Sequence, residues 1–168
     1  QGYAHNSFEC RKRAKNPSRH SRHQMMRTIK KIILHCTATR EGDDFSVSDI
    51  RKWHTDPPRN WSDVGYHFII RNDENGTIER GRPIERAGAH VKGQNADSVG
   101  IAYVGGVDKD LKAKDTMTDC QEESFLKLVE ALRMVYGDEL PVYGHNDFTD
   151  KKECPSFKVR EKFPKLVA

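Results

Sequence analysis

Apolar residues in this chain gather in short runs divided by polar stretches, and the spacing inside each run predicts an element. Ile29 to Cys36, IKKIILHC, is rich in β-branched residues and predicts a buried strand with His35 near its end. A polar loop, TATREGDDF, follows. Ser46-Val-Ser-Asp49 predicts a helix cap, with Ile50, Trp53 and His54 at helical spacing and Pro57-Pro58 as the stop. Tyr66 to Arg71, YHFIIR, predicts a second strand. Asn72 to Gly76 then reads as a turn, and TIERG as the returning arm of a hairpin.

Residues 84–98, IERAGAHVKGQNADS, lack periodicity and predict a loop, long enough that a function is expected of it. Val99 to Gly106, VGIAYVGG, is an apolar run suited to the centre of a sheet. After a polar loop from Asp108 to Met117, Thr118 and Gln121 form a capping box. They open a long helix whose apolar stripe is Phe125, Leu128, Val129, Leu132 and Val135. Leu140 to Tyr143 predicts a short strand, and Phe157 to Leu166 a last short helix. Strands alternating with helices, without repeats or a linker, predict one α/β domain: a central mixed β-sheet flanked by helices.

Composition adds a division. The chain has 168 residues, enough for one domain with a substantial core, and a net charge of +4. Within residues 1–27, Arg11, Lys12, Arg13, Lys15, Arg19, Arg22 and Arg27 face the single acid Glu9, so residues 28–168 are slightly acidic. A basic N-terminal tail is therefore expected over 1–27 and the folded domain over 28–168. Met25-Met26 reads as a natural start, with the residues before it an upstream extension or an added leader. Composition favours a solvated leader over a nucleic-acid or cell-surface arm. The tail has no apolar core of a secretory signal, and no run approaches a membrane span. No nucleic-acid partner is expected of an acidic domain. Cys10, Cys36, Cys120 and Cys154 lack the spacing of a disulfide framework and read as reduced. Cys36, next to His35 on a strand, should point to the opposite face and be buried.

The chemistry concentrates in Tyr143 to Phe157, YGHNDFTDKKECPSF. His145 and Cys154 stand at opposite ends of a short polar loop, with Lys152 two positions before the thiol. Imidazole and thiolate are ligands that zinc prefers, and a catalytic zinc takes three protein ligands with one open position. Candidates for the third are His35, His54, His67 and His90. His35 stands at the C-terminal end of a strand, where α/β sheets bind ligands. The residues themselves leave His35 and His90 both open. Trp53 and Trp61 read as packing residues, and His54 and His67 as structural.

HCTAT at 35–39, WSDVGYHFII at 61–70, GAHVKGQN at 88–95, VGIAYVGG at 99–106 and the GH…KKECPSF segment occur together in this order. In that order they resemble the zinc-dependent N-acetylmuramoyl-L-alanine amidases of type 2, relatives of the peptidoglycan-recognition proteins. The resemblance runs from about Thr28 to Lys165. It implies one Zn²⁺ per chain held by His35, His145 and Cys154, with Tyr66 and Lys152 as the catalytic pair. It implies that His90 lines the substrate groove. The implied substrate is peptidoglycan and its muropeptides, cut between N-acetylmuramic acid and L-alanine by a monomeric, endolysin-like enzyme. The same resemblance implies cytoplasmic accumulation, with action on the cell wall after release. The alternative is a non-catalytic peptidoglycan-recognition module of the same fold. One departure is visible: nine positions run from His145 to Cys154, one more than expected in the phage enzymes of this type.

Overall fold

The first apolar run forms strand β1 (Lys31–Cys36) in the computed structural model, which describes residues 26–167. Most of the expected tail, Cys10 included, lies outside the described residues. The remaining elements are β2 (Thr39–Arg40), α1 (Val47–Thr55), β3 (Phe68–Ile70), β4 (Ile78–Arg80), β5 (Ser98–Tyr103) and β6 (Gly106–Val107). They are followed by α2 (Asp119–Tyr136), β7 (Val142–Gly144) and α3 (Val159–Lys162). Five strands make the main sheet in the order β4-β3-β5-β1-β7. β5 and β7 flank β1 in parallel, β3 is parallel to β5, and β4 turns back antiparallel on β3 as the expected hairpin. The sheet is therefore mixed, as expected.

Alternation along β1 sorts its side chains between two faces. Ile32, Leu34 and Cys36 join the large core with Val99, Ile101 and Tyr103 of β5 and Phe125, Leu128, Val129 and Leu132 of α2. Cys36 is thus buried on the helix side, as expected. His35 faces the other way, where a smaller cluster of Ile50, Val64, Ile69 and Val104 packs beside Tyr66. The long helix covers one face, and the other face is left to chemistry.

Both helix starts carry the capping boxes the sequence predicts, Ser46 with Asp49 and Thr118 with Gln121. Gln121 has a second task. Its Oε1 accepts from the Thr118 N–H while its Nε2 donates to the Val104 carbonyl at 2.9 Å, so one buried amide caps α2 and ties it to the sheet.

Four expectations change. Val135 leaves the apolar stripe and is 68% exposed, because the stripe turns toward Tyr136 in the last helical turn. The strand expected over Val99 to Gly106 breaks: Gly105 and Gly106 take φ of 138° and 106°, a region open to glycine, and the chain leaves for a second small sheet. There β6 pairs with β2, which lies inside the stretch expected to be only a loop. Arg27, grouped by charge with the tail, is docked on the domain. Its guanidinium donates to the carbonyls of Ile84 at 2.6 Å and Ser98 at 2.8 Å.

Candidate active site

β1 and β7 run parallel with Leu34 opposite Gly144. His35 and His145 follow these two residues, so both leave the same edge of the sheet, and their rings stand 4.8 Å apart. This is the C-terminal edge of the parallel strands, the usual place for ligands in α/β sheets. Cys154 arrives on the loop after His145. Asn146 clasps that loop, donating its N–H to the Cys154 carbonyl at 2.8 Å and its amide to the carbonyls of Glu153 and Phe157. The Tyr103 hydroxyl donates to the Pro155 carbonyl at 2.7 Å and ties the loop to the end of β5. These contacts hold Cys154 Sγ 3.7 Å from His35 Nδ1, where it accepts the N–H of Cys36 at 3.2 Å.

The donor atoms of His35, His145 and Cys154 all lie within 4.8 Å of one another. Ligands about 2.0–2.3 Å from a tetrahedral zinc stand roughly 3.5 Å from each other, so this spacing fits a metal ion after a small inward adjustment. The donor chemistry fits as well: two imidazole nitrogens and one sulfur suit a borderline-soft cation. Burial, followed by the neighbouring His90 and His145, holds the His35 pKa well below its ordinary range, and burial followed by Lys152 lowers that of His145. Both imidazoles are thus neutral near pH 7 and able to offer a lone pair. The Cys36 thiol, and then burial, push the Cys154 thiol well above its usual range, while the Lys152 charge pulls it down. A thiol in that setting ionises when a cation arrives beside it.

The other residues singled out by the sequence fall into two groups. Tyr66 stands beside the cluster, its ring centroid 5.1 Å from that of His35, and burial raises its phenol far above the usual range. Lys152 is exposed on the Cys154 loop, near enough for its charge to act on His145 and Cys154. His90 is buried beside His35, with Nδ1 2.9 Å from His35 Nε2 and Nε2 3.2 Å from Ser98 Oγ.

His54 and His67 serve the scaffold. His54 Nδ1 accepts the Gly65 N–H and His67 Nδ1 the Gly100 N–H. Trp53 and Trp61 each pack one side, on Phe45 and His54 respectively, and keep over a third of their surface exposed. Sequence reasoning missed Asn95 and Ser98. Asn95 lies inside the GAHVKGQN motif, but nothing in the pattern marked Ser98.

An α/β domain that gathers two imidazoles and a thiol at a strand edge, beside a phenol and an ammonium, defines a hydrolase site able to hold a metal ion. Residues 25–157 match the family model described as N-acetylmuramoyl-L-alanine amidase. The endolysin of Klebsiella phage KP32 is 40% identical over 129 residues, covering 77% of this chain and 82% of that protein. The N-acetylmuramoyl-L-alanine amidase LysC of Clostridium intestinale superposes with a TM-score of 0.67 at 31% identity, over 84% of this chain and 87% of that one. Bumblebee PGRP-SA superposes with a TM-score of 0.67 at 27% identity, over 83% of this chain and 82% of that one. The chain belongs to the N-acetylmuramoyl-L-alanine amidase family. It is a peptidoglycan-hydrolysing amidase, acting on the bond between N-acetylmuramic acid and L-alanine.

Proposed function

We propose that the amidase works with one zinc ion held by His35, His145 and Cys154, and with Tyr66 and Lys152 as its catalytic pair. The observation that carries this reading is the convergence of three donor atoms within 4.8 Å at the edge of two parallel strands. Zinc in such a site supplies a Lewis acid that activates water and polarises a carbonyl. The protein supplies the rest. His35 and His145, neutral through burial, present lone pairs without a proton to displace. Tyr66, protonated through burial, can donate its hydroxyl to the oxygen that gains charge as the amide carbonyl becomes tetrahedral. The Lys152 ammonium adds a positive charge near the same centre and can follow the substrate because its stem is exposed.

The likeness to phage endolysins supports a chain that meets the cell wall on release. No helix among the described residues is long and apolar enough to cross a membrane.

Mass spectrometry of purified muropeptides, with and without chelator, tests the reading together with elemental analysis of the protein. Expected are about one zinc per chain and free stem peptides whose release stops on chelation. Full cleavage by metal-free protein would overturn the zinc assignment. Bound zinc without cleavage would leave a recognition module.

A further inference from the structure

The buried imidazole of His90 is held on several sides. Its own N–H and that of Val91 both donate to Asn95 Oδ1, at 2.9 and 3.0 Å. The ring lies in a slot cut by two glycines: a Cβ on Gly100 would stand 2.6 Å from His90 Cδ2, and one on Gly88 would collide with the same atom. At 2.6 Å, well inside ordinary van der Waals contact, even alanine at Gly100 would push the ring aside.

The proton positions along this chain of contacts follow from its far end. The Gln94 carbonyl can only accept, so the Ser98 hydroxyl donates to it, at 2.6 Å. With its proton committed there, Ser98 Oγ accepts from His90 Nε2 at 3.2 Å. A neutral imidazole carries one N–H, which leaves His90 Nδ1 as an acceptor. His35 Nε2 therefore carries the proton shared across the 2.9 Å contact, and His35 Nδ1 keeps its lone pair. That Nδ1 is the atom 3.7 Å from Cys154 Sγ.

We infer that His90 is a positioning residue. Through Ser98 and the Gln94 carbonyl it locks His35 in the Nε2–H tautomer, so that Nδ1 faces the metal cluster. The motif GAHVKGQN, with Ser98 just beyond it, then serves as a clamp on a ligand rather than as a substrate wall. Gly88 and Gly100 make the slot, Asn95 pins the backbone, and His90 carries the polarity of the chain to His35. Such outer partners raise the basicity of a ligand and fix its orientation, and their loss typically weakens metal binding about 10–100-fold.

This inference rests on the zinc reading above, and its test separates the two. Long-range proton–nitrogen correlation spectra of the zinc-loaded protein should place the proton on Nε2 of both His35 and His90. A proton on Nδ1 of either ring overturns the inference without touching the ligand set. Zinc affinity, measured by chelator competition, should fall by about 10–100-fold in His90→Leu. It should recover to within a few-fold of the original in His90→Asn, whose amide oxygen can take the place of Nδ1 as an acceptor. His90→Leu binding zinc as tightly as the original chain, or His90→Asn as weakly as His90→Leu, would make the residue a spacer only. An original chain that takes up no zinc removes the metal reading and this inference with it.

Discussion

Tyr66 and Lys152 stand near the same centre under different conditions, one half-buried and the other exposed. Burial keeps the Tyr66 phenol protonated across the working pH range, so it can donate a hydrogen bond at every step. Lys152 sits on a solvated loop, and salt should screen its effect more strongly. Tyr66→Phe and Lys152→Ala should each keep the metal and the fold while turnover drops by about 10²–10³-fold, the usual loss of one oxyanion donor. The binding of uncleaved muropeptide should change far less, because such donors act where charge develops. Zinc content, muropeptide affinity and initial rate on both variants check this. Near-normal turnover with zinc bound would make either residue a bystander.

For the elements, burial separates residues that the sequence pattern groups together. Phe125 and Val135 read alike as members of one apolar stripe, yet Phe125 is wholly buried against Phe163 and Val135 is exposed. Phe125→Ala should therefore cost about 3–5 kcal/mol, the range for an emptied aromatic site in a core. Val135→Ala should stay within about 0.5 kcal/mol. Denaturant titrations of both variants decide the matter, and equal losses would put the stripe elsewhere. The capping boxes were legible because they are local, with four consecutive residues carrying both partners. The break after Tyr103 was not, because a Gly-Gly pair at the end of an apolar run is compatible with a strand until a second sheet claims the chain.

Across the whole molecule, buried neutral histidines make stability depend on pH. Burial lowers the His67 pKa from 6.5 to about 4. The unfolded chain then binds more protons than the folded one as pH falls. The stabilising contribution is complete above about pH 6.5 and is lost as pH drops through about 4. Melting temperature should fall over that window, and less steeply in His67→Asn, which keeps an acceptor for the Gly100 N–H without titrating. A melting temperature indifferent to pH across the window, or equally steep in both proteins, would remove His67 from the account.

By itself the sequence determined the α/β class, the order of the main elements, both helix starts and the neighbourhood of the chemistry. These rest on periodicity, capping and a His…Cys loop, all of which act over a few residues. His35 and His90 both stayed open at that level, one near the end of an apolar run and the other in a loop without periodicity. Only the tertiary structure told them apart. The register of β1 on β7 carries His35 to the side of His145, and Asn146 and Tyr103 bring Cys154 to meet them. His90, with one nitrogen toward Ser98 and the other toward His35, has none left for a metal ion. Which ring meets His145 and Cys154 is decided by what each ring nitrogen faces, and that depends on residues far apart in the chain.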